Sequence, residues 1–181
     1  WLRHVRKRLC HLFPYMPGQA GYNKRLRKSV PQLTAMIRIL ARDTDAWEDD
    51  TWIIDSTPVE CGRSRPTVKR SNLAGWAGYG YCASHSRYFW GLRLHLVATP
   101  AGLPVMFALT NPKIDEREVA IDMFDTDPSV LADRAGQTLI ADKGYASAEF
   151  EARLDNYGID LIRPARESVR QHRLARPRSS D

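Results

Sequence analysis

The chain has 181 residues, 43% of them hydrophobic, with a net charge of +6. That length and apolar content fit one ordinary domain with a packed core and exclude a wholly disordered chain. No apolar run approaches the roughly 18 residues of a membrane span, the start carries no secretory h-region, and three cysteines without a Cys-x-x-Cys pair indicate neither a disulfide framework nor a cysteine zinc site.

In chain order, residues 1–31 are basic, with aromatic and turn residues around Phe13-Pro-Tyr15-Met-Pro-Gly18. Leu26, Val30, Leu33, Ile37 and Leu40 fall at helical spacing, and Ser29-Val-Pro-Gln32 reads as a capping box, so a helix is predicted over about 30–42. Asp43 to Asp50 is an acidic connector. Thr51-Trp-Ile-Ile-Asp55 is a short buried strand that ends in an acid. Residues 56–87 show no strong period and include the Gly/aromatic loop Ala74–Tyr81. Over 88–98, Trp90, Leu92, Leu94, Leu96 and Ala98 face one way and Arg93 and His95 the other; 103–110 is the hairpin partner.

Asp115 caps a helix whose apolar face is Val119, Ala120, Met123 and Phe124. Residues 137–142 form a second buried strand ending in an acid. Ser147 caps a helix carrying Phe150, Leu154 and Tyr157, with Gly158 at its end, and Ile159–Arg163 is a last strand. The order gives a mixed α/β sheet with helices on its faces.

Charge is unevenly placed. Residues 1–42 hold ten Lys/Arg and no acid; 43–60 hold seven acids and no Lys/Arg; 61–95 hold six Lys/Arg and no acid. Basic blocks around acidic ones fit cationic surfaces that grip a polyanion around a carboxylate-lined centre; a basic protein with solvated faces fits as well.

Asp55 and Asp142 each follow a buried hydrophobic strand, at the sheet edge where α/β proteins bind ligands. If the strands are neighbours the carboxylates converge, and two close carboxylates repel unless a proton or a divalent cation is shared. A hard cation such as Mg²⁺ takes oxygen ligands and leaves positions for water and phosphate. The competing reading is that each aspartate caps the next turn. Arg63, Arg65, Lys69 and Arg70, and Lys143 beside Asp142, are candidate phosphate contacts or solvated side chains. Trp76, Tyr79 and Tyr81 either stack on an unpaired base or pack locally. His95 and Cys61 read as structural.

Asp55-Ser-Thr-Pro58 and Ala141-Asp-Lys-Gly-Tyr145 together resemble the motifs of bacterial insertion-sequence transposases of the DDE type. Trp90-Gly-Leu-Arg-Leu-His95, Gly102-Leu-Pro104, Leu12-Phe-Pro14, Gln19 and Tyr22-Asn-Lys-Arg25 extend the likeness over nearly the whole chain. The resemblance implies an RNase H-like mixed five-stranded sheet flanked by helices over 47–181, after a basic helical segment over 1–46. It implies Asp55 and Asp142 as catalytic acids that bind Mg²⁺ or Mn²⁺ in a two-metal site, for DNA strand cleavage and strand transfer. It further implies DNA as partner (transposon ends and target), a homodimer when active, no membrane, and the bacterial cytoplasm at the nucleoid.

The family's third acid is a glutamate on a helix after the fifth strand. Glu149 and Glu151 come too early, and Glu167 lacks the surrounding motif. With the non-methionine start, this gives the expectation of an incomplete transposase impaired in cleavage. The alternatives are a catalytically inactive DNA-binding remnant and a metal-dependent phosphohydrolase acting on small substrates, the latter disfavoured by the basic blocks.

Overall fold

The computed structural model describes residues 2–164 apart from 133 and 135. Two compact units divide between Asp43 and Thr44. The first holds three helices, α1 (Leu2–Arg8), α2 (Gln19–Lys28) and α3 (Val30–Arg42). The predicted α3 is present, but the capping box is not: Ser29 has helical backbone angles (φ −90°, ψ 0°), and its side chain caps nothing. The reason is that α2 runs almost directly into α3, so the Ser29 amide is already taken by the Arg25 and Leu26 carbonyls. The α3 side chains Val30, Leu33, Met36, Ile37, Ile39 and Leu40 are exposed. Helices α1 and α2 lie in the stretch that the resemblance gave as a basic helical segment, but their bounds were not read, because their many Lys and Arg break any apolar period.

The second unit is built on a mixed sheet: β1 (Thr51–Gly62), β2 (Gly78–Cys82), β3 (Arg87–Ala98), β4 (Pro104–Thr110), β5 (Gln137–Ile140) and β6 (Ile159–Ile162). Strand order is β2–β3–β1–β5–β6, and β4 also pairs with β3. Strands β1, β3 and β4 form an antiparallel meander, while β5 and β6 are added in parallel on the other edge of β1. This is the RNase H-like arrangement, extended by a sixth strand. Strand β3 is long enough to pair Arg87–Gly91 with β2 and Arg93–Ala98 with β4 on the same edge.

Strand β1 does not stop at Asp55, as the sequence suggested, but continues through Pro58 to Gly62. Beyond Ile53 it has β3 alone as its partner, because β5 ends at Ile140. A one-sided strand tolerates a residue without an N–H. Between Glu60 and Gly62 the register slips by one residue, a bulge at Cys61. Gly91 sits opposite it, and a Cβ there would lie 2.0 Å from the Val59 carbonyl oxygen.

Helices α5 (Glu116–Thr126) and α6 (Ala148–Asn156) cover one face. Their caps are those read from sequence. Asp115 accepts from the Arg117 N–H, and Ser147 from the Phe150 N–H. Gly158, at φ +69°, ends the connection after α6 in the left-handed region that glycine adopts without strain. The core joins Trp52, Ile54, Val97, Leu139 and Ile159 of the sheet to Val119, Met123, Phe124, Phe150 and Leu154 of the helices. Each such side chain contributes about 1.5–3 kcal/mol when fully buried.

The alternation in β3 is as predicted, and both of its faces are covered in part: Trp90 and Leu92 of the apolar face are buried, and so is the face that carries His95. Val97 and His95 are fully buried under the helices, whereas Leu94, Leu96 and Ala98 are only half-buried. The polar side chains on the His95 face are each partnered at one end: His95 Nε2 meets Thr110 Oγ1 at 3.0 Å and Arg93 meets Glu116, while His95 Nδ1 and Arg93 Nε have no partner among the described residues. On the opposite face a short helix, α4 (Arg65–Arg70), and the loop after it bury Trp90 and Leu92 with Val68, Leu73 and Ala77. Ser64 caps α4, and Pro66 lies in its first turn.

Candidate active site at the carboxyl edge of the sheet

Thr51–Ile53 of β1 pair in parallel with Thr138–Ile140 of β5. Asp55 and Asp142 each lie two residues past the last pair, Ile53–Ile140: Asp55 within β1, and Asp142 beyond the end of β5, in the turn that follows it rather than on a strand that ends in the acid. Both are exposed. Each has one carboxylate oxygen fixed by a local backbone donor: Ser56 N–H to Asp55 Oδ1 at 2.7 Å, and Gly144 N–H to Asp142 Oδ1 at 2.7 Å. A Cβ at Gly144 would lie 2.8 Å from the same oxygen, so a side chain there would shift the carboxylate. Turn-capping and ligand-binding readings of Asp142 are therefore not exclusive: one oxygen caps, and the side chain still faces solvent.

Behind the pair lies Tyr145, with no exposed surface and a hydroxyl that has no hydrogen-bond partner among the described residues. Burial pushes this phenol well above its ordinary pKa, and the charges of Glu116, Asp55 and Asp142 push it further; Arg93 opposes them. One buried atom thus senses three carboxylates from three segments. Glu116 opens α5. Its Oε1 accepts from Ser56 Oγ at 3.0 Å and from Arg93 Nη1. The residue next to Asp55, the helix start and β3 are tied together at this oxygen. Next to it, Asp115 is held down to about pKa 2 by the bidentate Arg117 guanidinium. Burial, helped by Arg93, lowers His95 to about 4, so the ring is neutral at pH 7.

Sequence reasoning assigned no role to Glu116, Arg93, Ser56 or Tyr145. The available signals were an arginine inside an apolar strand and two successive acids at a helix start; neither shows that the two meet.

The basic candidates separate. Lys143 is exposed in the turn directly after Asp142. Arg65, Lys69 and Arg70 are exposed on α4, and Arg63 pairs with Glu60. Helix α4 follows the far end of β1 and packs Val68 against Trp90 and Leu92, the latter opposite Val59, four residues along β1 from Asp55.

Glu151 is engaged by Arg163, and Glu167 lies outside the described residues. Among the described residues no three His, Cys, Asp or Glu side chains are grouped so as to hold a metal ion. The chemistry of two solvent-facing carboxylates suits a hard divalent cation, which binds through one or two carboxylates and completes its shell with water and phosphate oxygens.

Residues 46–180 match the family model of the transposase DDE domain. Two solved structures are similar in part. One is the simian T-cell lymphotropic virus intasome in complex with PP2A regulatory subunit B56 gamma (16% identity, 63% of this chain and 31% of that chain, TM-score 0.33). The other is the piggyBac transposase synaptic complex with hairpin DNA (12% identity, 81% and 34%, TM-score 0.44). This chain therefore spans about a third of the length of each. No curated protein matches it.

Proposed function

We propose, from the premise that the chain belongs to the transposase DDE domain family, that Asp55 and Asp142 are the metal-binding acids of a DNA strand-cleavage and strand-transfer centre of an insertion-sequence transposase. Members of this family generally use divalent metal ions, and Mg²⁺ or Mn²⁺ are the ions proposed here. The observation that carries the reading is that both aspartates follow the paired ends of adjacent parallel strands, each two residues past Ile53–Ile140, and both act on the buried Tyr145. A bound cation pair supplies positive charge and orientation for displacement at a phosphodiester.

The chain's own residues set up that chemistry. The Ser56 and Gly144 amides fix the two carboxylate rotamers. Lys143 offers a cation beside Asp142 to a phosphate oxygen. Glu116 holds Ser56 and Arg93, which keeps the Asp55 segment in place against α5. DNA is the proposed partner, two copies of the chain bring two ends together, and the setting is the bacterial cytoplasm at the nucleoid.

A second reading, DNA binding without cleavage, is favoured by one observation: no third metal-ligating side chain joins the two aspartates among the described residues. Two carboxylates hold a cation more weakly than three, so cleavage under the catalytic reading is expected to be slow. The discriminating experiment is supercoiled-plasmid nicking in Mg²⁺ or Mn²⁺, with Asp55→Ala alongside. Nicking that disappears in the variant while gel retardation persists supports the catalytic reading. Retardation without nicking supports the binding reading. Nicking unchanged by Asp55→Ala refutes the assignment of the acids.

A further inference from the structure

Strand β2 has the sequence Gly-Tyr-Gly-Tyr-Cys, and its two sides have different surroundings. On one side the glycines make room for the loop after β4: a Cβ at Gly78 would lie 2.7 Å from Asn111 Oδ1, and one at Gly80 would lie 2.6 Å from Pro112 Cβ. On the other side stand Tyr79 and Tyr81. Cross-strand pairing puts Tyr79 opposite Trp90 and Tyr81 opposite Tyr88, on one face. Trp90 is buried under α4, but Tyr79, Tyr81 and Tyr88 are 57%, 47% and 80% exposed. The Tyr81 and Tyr88 rings meet with centroids 5.0 Å apart, which presents a broad aromatic step to solvent. These side chains do not pack into a core.

Helix α4 lies on the same face, because its Val68 packs in the cluster that buries Trp90. It carries Arg65, Lys69 and Arg70 outward, and no acid occurs from 61 to 95. Along β3, Tyr88, Trp90, Leu92, Leu94 and Leu96 share this face, and Leu96 is the direct partner of Asp55. The tyrosines and the carboxylate edge thus stand on one side of the sheet with the basic helix between them. Eight strand residues separate Tyr88 from Leu96, about 26 Å, which a nucleic-acid strand covers in roughly eight nucleotides at 3.4 Å each.

We propose that Tyr79, Tyr81 and Tyr88, with the α4 cations, form a platform that stacks unpaired bases of a DNA strand leading away from the Asp55–Asp142 edge. Phosphate binding alone needs cations, not exposed rings. Exposed rings beside cations are the composition of single-strand platforms. The inference rests on the DNA reading above and adds which DNA feature is held and where.

The test uses the full chain and two random-sequence probes: a blunt duplex, and the same duplex with a ten-nucleotide unpaired tail carrying 2-aminopurine. Affinity is read by anisotropy and stacking by 2-aminopurine quenching, for wild type, Tyr81→Leu/Tyr88→Leu and Lys69→Ala/Arg70→Ala. The tyrosine variant is expected to lose roughly ten-fold in affinity for the tailed probe, with loss of quenching, and to keep its affinity for the blunt duplex. The lysine–arginine variant is expected to weaken both probes and flatten the salt dependence. Duplex binding with no tail preference, or tail affinity and quenching unchanged in the tyrosine variant, overturns the platform and leaves the DNA reading standing. Equal loss on both probes makes the face a duplex contact and also overturns it. A tyrosine variant that loses self-association instead of tail binding assigns the face to a second copy of the chain, against the proposal. Wild type binding neither probe overturns both readings.

Discussion

Replacing Glu116 by Gln keeps the shape of the side chain and removes the charge that Arg93 faces. The Arg93 and Glu116 side chains are 18% and 28% exposed, so the pair is partly withdrawn from water. Two unit charges about 4 Å apart attract by about 4 kcal/mol at an effective dielectric of 20. Desolvation offsets part of this, leaving a coupling of roughly 1–3 kcal/mol for a pair inside one hydrogen-bonded network. The single variant Glu116→Gln should therefore cost about 1–3 kcal/mol, because it leaves the Arg93 charge uncompensated beside Tyr145 and His95. For a unit of this size that is roughly 3–10 °C in Tm. The assay is a double-mutant cycle by urea denaturation at pH 7: wild type, Glu116→Gln, Arg93→Met and the double variant. The double variant should be more stable than the sum of the single losses predicts. Additivity within about 0.3 kcal/mol would mean two solvated side chains with no shared network, and would refute the reasoning. Raising the salt concentration should change the coupling little, since screening acts mainly on exposed pairs.

Three further outcomes are expected. Asp142→Asn should abolish metal-dependent plasmid nicking with DNA retardation intact or stronger; nicking at the wild-type rate rules out Asp142 as a ligand. Gly91→Ala should cost about 3 kcal/mol or more, because its Cβ meets the Val59 carbonyl in the bulge, where backbone cannot yield as a side chain can; a Tm within 2 °C of wild type, against the roughly 10 °C expected, contradicts the bulge geometry. His95 should make stability fall with acid. Its pKa is about 4 folded against 6.5 ordinarily, so the unfolded chain takes up the proton first. The contribution is complete above about pH 7 and declines as pH falls from 6.5 towards 4, by up to about 3 kcal/mol. Urea titrations at pH 7, 6 and 5 should show this slope in wild type and a flatter one in His95→Asn; equal slopes dismiss it.

What was legible in the sequence is local. Asp115 and Ser147 marked helix starts because a short polar side chain before an apolar period satisfies amides that the helix leaves open. The β3–β4 hairpin showed through the alternation over 88–98 and the apolar partner at 103–110. The elements missed were those whose residues answer to something distant. Strand β2 reads as a loop until Asn111 and Pro112 arrive against its glycines. Helix α4 is too short for a period and exists because Trp90 needs a cover.

The sequence by itself determined the two strands that precede acids, the helix caps, the mixed α/β class and the blocks of charge, because each depends on neighbours within a turn or a pleat. Which face of β3 receives α5 was decided only by tertiary structure. Alternation defines two faces but is silent on which one receives a helix, and the partners Thr110 and Glu116 let Arg93 and His95 occupy the covered side. The placing of Asp55 and Asp142 just past one and the same strand pair was decided there too. It is set by how β1 and β5, far apart in the chain, slide against each other until Ile53 and Ile140 pair. So was the meeting of both segments with Glu116 around the Tyr145 hydroxyl. Local propensity fixes what a segment becomes; only packing fixes what it ends up facing.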